Sequence, residues 1–98
     1  MLVIGSFGDK ATSDVYHGIN SREARAFDAA MRAGAIRKLD MINAANGPKD
    51  LQAPPGNRLE KLKGKLAAFW SIRINDQFRI IFRFDGHVAS DVRIVDYH

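Results

Sequence analysis

Residues able to move protons and residues able to hold a phosphate lie close together in the last third of this sequence. An apolar β-type run from Val88 to Val95 leads into Asp96-Tyr97-His98, and the two runs before it carry Arg73, Arg79 and Arg83. Proton-transfer groups beside fixed positive charge suit metal-free chemistry on a phosphodiester. The acid and base shuttle protons while guanidinium groups stabilise charge that develops on phosphate oxygens. The competing reading of Tyr97 and His98 is an ordinary frayed chain end.

The charge distribution points the same way. The 98 residues carry a net charge of +4. Residues 57–83 hold seven bases (Arg58, Lys61, Lys63, Lys65, Arg73, Arg79 and Arg83) against Glu60 and Asp76, a local excess of five that is larger than that of the whole chain. Such a segment favours a polyanionic partner, the alternative being a solvated basic surface. The length suits a single domain, 1–98, with one modest core.

Other classes are excluded. No stretch approaches the roughly 20 apolar residues of a membrane span, so no membrane association is expected. The N-terminus, Met1 to Phe7, is apolar but short and lacks a basic start, which reads as a first strand and not a signal peptide. There is no cysteine, so disulfides and thiolate metal sites are ruled out and a cytoplasmic setting fits. His17, His87 and His98 show no metal-ligand spacing. Neither a metal nor a cofactor is expected.

The elements that must position these residues are legible in outline. A short helix over Lys10 to His17 ends at Gly18. A longer one runs from Ser21 to Ala45, with Asn20 as its cap and Glu23 reaching back. Ala24, Phe27, Met31, Ala35, Leu39 and Ile42 recur every three or four residues and line one face. Asn46-Gly47-Pro48 stops it, and Pro54-Pro55-Gly56 marks an irregular connection. Three strands follow, at about Leu66–Ile74, Phe78–Phe84 and Val88–Val95, joined by the turns Asn75-Asp76-Gln77 and Asp85-Gly86-His87.

Three-residue turns give a register that sorts the side chains. Ile74, Ile72 and Trp70 face Phe78, Ile80 and Phe82. Across the second turn Phe84, Phe82, Ile80 and Phe78 face Val88, Ser90, Val92 and Ile94. One face is then apolar and needs the helix as cover. The other face aligns Arg73, Arg79 and Arg93 on three adjacent strands, with Arg83 and Lys65 further along and Tyr97 continuing the series of Arg93 and Val95. Facing like charges destabilise a sheet. Asp91 offsets part of that cost, and the remaining excess favours an anion site, for which the planar arginine fork is suited. The same register puts Trp70 on the covered face, as core.

Three motifs then bring a family into view. Pro54-Pro55-Gly56-Asn57-Arg58-Leu59-Glu60-Lys61-Leu62-Lys63-Gly64, Ser71-Ile72-Arg73-Ile74-Asn75-Asp76-Gln77-Phe78-Arg79 and Val95-Asp96-Tyr97-His98 occur in order. Together they resemble the HigB toxins, the host-inhibition-of-growth branch of the RelE-like superfamily. The resemblance implies an α+β fold: an N-terminal strand and helices, then three antiparallel strands, with the helices on one face. It implies a type II toxin, a ribosome-dependent endoribonuclease cutting translated mRNA in the A site. It also implies a HigA-type helix-turn-helix antitoxin, through which alone the complex reaches operator DNA.

The resemblance carries roles to individual positions. Lys63 matches a basic residue near the scissile phosphate and Arg79 the arginine that steadies it. Asp96, Tyr97 and His98 match the terminal catalytic group. Arg58, Lys61, Lys65, Arg73, Arg83 and Arg93 are the further candidates for binding RNA phosphates. Some HigB toxins have a histidine where this chain has Glu60, which leaves the acid and base to be chosen among Glu60, Tyr97 and His98. Two other classes compete: a non-catalytic RNA- or ribosome-binding module, and a corepressor subunit of a helix-turn-helix partner.

Overall fold

The computed structural model describes residues 3–97. Its helices are α1 (Lys10–His17), α2 (Arg22–Arg25) and α3 (Ala29–Ala44). Its strands are β1 (Glu60–Lys61), β2 (Trp70–Arg73), β3 (Phe78–Asp85) and β4 (Val88–Asp96), antiparallel in that order. The helices cover one face of this sheet. Among the described residues, no helix is long and apolar enough to cross a membrane.

Capping sets the helix boundaries. Asp9 accepts from the Thr12 amide at 2.9 Å to start α1, and Gly18, at φ 70°, closes it in the left-handed conformation. The single helix expected over Ser21 to Ala45 is two. Ser21, not Asn20, caps α2 by accepting from the Ala24 amide at 3.1 Å. Asp28 then caps α3 by accepting from the Met31 amide at 2.8 Å. Ser and Asp offer the backbone a local alternative to the helix, and hydrophobic periodicity does not register it. Glu23 lies 3.3 Å from Lys10 of α1. The expected apolar stripe survives the break. Ala24, Met31, Ala35, Leu39 and Ile42 are buried, and Phe27 packs edge-on against Phe78 at 5.4 Å.

The core lies between α3 and the sheet, where Met31, Ala35, Leu39 and Ile42 join Ile72, Ile80, Phe82, Ala89, Val92 and Ile94. Fully burying each Leu, Ile or Phe side chain contributes about 1.5–3 kcal/mol. Trp70 is part of this layer's rim, opposite Phe82.

The first hairpin has the expected register, with Trp70 opposite Phe82, Ile72 opposite Ile80 and Arg73 opposite Arg79. The second does not. Its turn has two residues, Gly86 and His87, because Asp85 pairs with Val88 and Phe84 with Ala89. An extra residue then shifts the ladder, so that Ile80 pairs with Ile94 and Phe78 with Asp96. Asp91 sits at this bulge with φ 52°, a left-handed value that Asp tolerates better than most residues. The bulge turns both Ala89 and Val92 into the core, three residues apart, which strict alternation does not allow.

Two further boundaries differ from expectation. The strand expected from Leu66 begins at Trp70, and Gly64–Leu66 forms a 3-10 turn. The expected N-terminal strand is a pair of isolated parallel bridges, Ile4 to Ala89 and Phe7 to Val92, along the outer edge of β4. The bulge separates the two bridges and prevents a continuous ladder. Asn43 of α3 anchors this segment by accepting from the amides of Val3 and Ile4 at 2.9 and 3.1 Å.

Candidate nucleic-acid interface

Alternation along β3 puts Arg79 and Ile81 on the face away from the helices. Arg79 is only 8% exposed and is held from several sides. Its Nε donates to Ser71 Oγ, and its Nη2 donates to the Arg58 carbonyl at 2.7 Å. Glu60 Oε1 lies 4.0 Å from the same nitrogen. The Tyr97 ring lies 5.1 Å from the guanidinium carbon, a cation–π contact at the end of β4. Tyr97 itself is 49% exposed, so the pair presents a half-open aromatic surface over a fixed cation.

Arg58 reaches Arg79 through its backbone. It has φ 47°, a left-handed conformation costly for a residue with a side chain. What holds it is the residue before it. Asn57 is fully buried; its Nδ2 donates to the Leu51 carbonyl at 3.2 Å, and its Oδ1 accepts from Lys38 Nζ on α3. Asn57 thus ties the irregular connection to the helix layer, and the next carbonyl meets Arg79. Sequence reasoning missed this residue. The only signal was a polar side chain next to Pro54-Pro55-Gly56, which reads as an exposed turn.

Positive charge spreads from this point. Burial, then the charges of Arg37 and Arg73, lower the pKa of Lys38 below its ordinary value. Arg73 stands directly opposite Arg79, as the register requires, and pairs with Asp76. Arg83 is exposed and pairs with Asp91 at 3.5 Å and Asp85 at 4.0 Å.

Arg93 departs from expectation. It lies opposite Ile81, not opposite Arg79, because of the bulge. Lys65 lies in the 3-10 turn beyond the strands, and Lys63 immediately precedes that turn; both are exposed. Lys61 pairs with Trp70, which turns it to the helix-covered face. There it stands 5.3 Å over the Trp70 ring and donates to the Ala67 carbonyl at 2.6 Å. It does not join the arginines.

At the end of β4, Asp96 accepts from Gln77 Nε2 at 3.1 Å, and the Tyr97 amide donates to the Gln77 carbonyl at 2.7 Å. The β2–β3 turn thereby fixes the last residues of the strand. His98 lies outside the described residues. Among those described, no three His, Asp or Glu side chains are grouped so as to hold a metal ion. A concavity of about 360 Å³ lies on the helical side, between α1, α2 and α3, away from the arginine face.

A four-stranded antiparallel sheet with helices on one face has the α+β architecture of the RelE-like toxins. The chain belongs to the HigB-like toxin family. The family model for the RelE-like toxin HigB of type II toxin–antitoxin systems matches residues 5–98. Toxin HigB-1 of Vibrio cholerae is 37% identical over 83 residues, covering 85% of each chain. An uncharacterized protein of Haemophilus influenzae is 41% identical over 56 residues, 57% of this chain and 55% of that one. Membership of a type II toxin–antitoxin family implies an antitoxin partner.

Proposed function

We propose that this chain is a ribosome-dependent mRNA endoribonuclease that cuts translated message in the ribosomal A site. A HigA-type helix-turn-helix antitoxin neutralises it and carries the complex to operator DNA. The observation that carries this reading is the Arg79–Tyr97 stack at the end of β4, on a sheet face rich in arginine. A non-catalytic binding surface needs exposed cations, whereas here the central cation is withdrawn beneath an aromatic ring. A charge held in a partly desolvated place acts more strongly on a nearby phosphate than one in water.

In the proposed reaction the 2′-hydroxyl of the RNA is the nucleophile. A base removes its proton, the 2′-oxygen bonds to phosphorus, and the bond from phosphorus to the 5′-oxygen breaks. An acid protonates the leaving oxygen. The products are a 2′,3′-cyclic phosphate and a 5′-hydroxyl. Arg79 stabilises the phosphorane, Arg73 assists and Lys63 orients the phosphate. His98, Tyr97 and Glu60 are the acid–base candidates, Tyr97 also being suited to stacking on a base. Asp96 has the role of positioning His98 or a contact with the ribosome.

The test is induced expression of the intact chain beside a version lacking Tyr97 and His98, following growth and mapping mRNA 5′ ends. Growth arrest with in-frame cuts in translated messages, lost on truncation, supports the nuclease. Equal behaviour of two soluble, folded chains with no cuts refutes it.

A further inference from the structure

Arg73, Arg79 and Arg83 each have an acid within 4.0 Å, but Arg93 on the same face pairs with no carboxylate among the described residues. Its Nε is shielded from solvent and has no hydrogen-bond partner. Its guanidinium instead lies 5.6 Å from the Phe69 ring.

A buried N–H without a partner costs stability, and an apolar side chain of similar length would avoid that cost. The chain also makes room for this side chain. A Cβ on Gly8 would come within 3.0 Å of Arg93 Cδ and 3.1 Å of the Asp91 carbonyl. Gly8 is fixed there because its amide donates to the Val92 carbonyl at 2.8 Å. The chain therefore keeps an arginine, and space for it, at a place where the fold gains only a cation–π contact with Phe69 and leaves one shielded N–H without a partner.

The position explains what the group is for. Arg93 is two residues from Val95, the partner of Arg79, and four from Tyr97. Two residues of strand span about 7 Å, against an approximate rise of 3.4 Å for a stacked nucleotide. A group bound at Arg93 therefore belongs to a different nucleotide, about two stacked steps from the one held at Arg79 and Tyr97. We infer that Arg93 and Phe69 form a second nucleotide subsite, in which Arg93 takes the phosphate of another nucleotide of the same single-stranded RNA and Phe69 stacks on its base. This rests on the nuclease reading for the identity of the ligand. It adds a residue, Phe69, and a division of labour between two nucleotides of one strand.

The test uses the full chain and a short single-stranded RNA carrying 2′-O-methyl groups, which cannot be cut by 2′-oxygen attack. Binding is followed by fluorescence anisotropy against salt for the intact chain, Arg93→Met and Phe69→Ala. One lost phosphate contact lowers the slope of log K against log salt by about 0.7 for a single strand. Arg93→Met is expected to show that drop, with a melting temperature equal to or above that of the intact chain. Phe69→Ala is expected to keep the slope and weaken binding roughly 10- to 100-fold, the range for one stacked base.

An unchanged slope in Arg93→Met overturns the subsite, as does a marked loss of its melting temperature or the absence of binding by the intact chain at low salt. A slope change in Phe69→Ala overturns the division of labour. If the intact chain binds and the slopes behave as expected but no message is cut in cells, the nuclease reading fails while the subsite stands.

Discussion

Replacing Asn57 with alanine tests how the fold holds its central arginine. The side chain is fully buried and makes its bonds to two different layers. Removing it leaves the Leu51 carbonyl without its donor, at about 1–3 kcal/mol for a buried group. Lys38 loses its acceptor, but it is only partly buried and rehydrates, for about 1 kcal/mol. The sum is about 2–4 kcal/mol, less than the roughly 5–15 kcal/mol by which small domains are stable. The variant therefore folds, with a melting temperature lower by roughly 10–30 °C.

The functional consequence follows from the next residue. Without Asn57 the Arg58 carbonyl is no longer held against Arg79 Nη2, and the guanidinium gains freedom over the Tyr97 ring. Cleavage is expected to fall even at temperatures where the variant remains folded, through kcat more than KM. Lys38→Met is the comparison, because it leaves the Leu51 carbonyl and the Asn57 side chain in place but takes the donor from the buried Asn57 Oδ1; its expected cost is about 1–3 kcal/mol, without the loss of the Leu51 bond. Thermal melts of both variants and of the double variant, with a reconstituted ribosome cleavage assay, supply the measurement. A loss below about 1 kcal/mol for Asn57→Ala, or a double variant whose loss is the full sum of the two single losses, refutes the reasoning.

Three further outcomes are expected. Tyr97→Leu removes the ring from Arg79 and costs about 0.5–1 kcal/mol more than Tyr97→Phe, which keeps it; equal melting temperatures refute the contact, and cleavage by Tyr97→Phe separates stacking from proton transfer. Asp91→Val costs about 1–2 kcal/mol because a β-branched residue is strained at positive φ, while Asp91→Gly stays within about 1 kcal/mol of the parent; chemical denaturation distinguishes them, and equal costs argue against the bulge. A hydrogen bond from Lys10, then one from Ser21, lowers the Asp14 pKa below its ordinary 3.8. A depressed carboxylate stabilises the fold fully above its unfolded value and loses that contribution as pH falls through its folded value. Asp14→Asn should therefore lower the melting temperature at neutral pH, with the gap closing as pH falls below 3.8; a gap independent of pH refutes the assignment.

Much of the fold was legible because its signals are local. Gly18 ends α1 because glycine adopts the left-handed conformation at no steric cost. The stripe from Ala24 to Ile42 was readable because helix geometry alone puts those residues on one side. The first hairpin was readable because apolar residues alternate without interruption through both strands, so one register buries them all. Arg73 and Arg79 facing each other followed from that register. Where two local signals competed, periodicity lost: Ser21 and Asp28 offered caps, and the helix broke between them.

What only the tertiary structure decided depends on contacts between distant segments. The bulge at Asp91 satisfies the burial of Ala89 and Val92 together with the N-terminal bridges, so no single strand encodes it. It moved Arg93 away from Arg79 and into the company of Phe69 and Gly8. Asn57 became a central hydrogen-bonding residue only once α3 brought Lys38 against it. The sequence by itself determined which residue types gather on which element, because propensity and periodicity act over a few residues. The tertiary structure decided which charges are paired, which are buried and which remain for a ligand, because burial and pairing are properties of segments that meet only when the chain has folded.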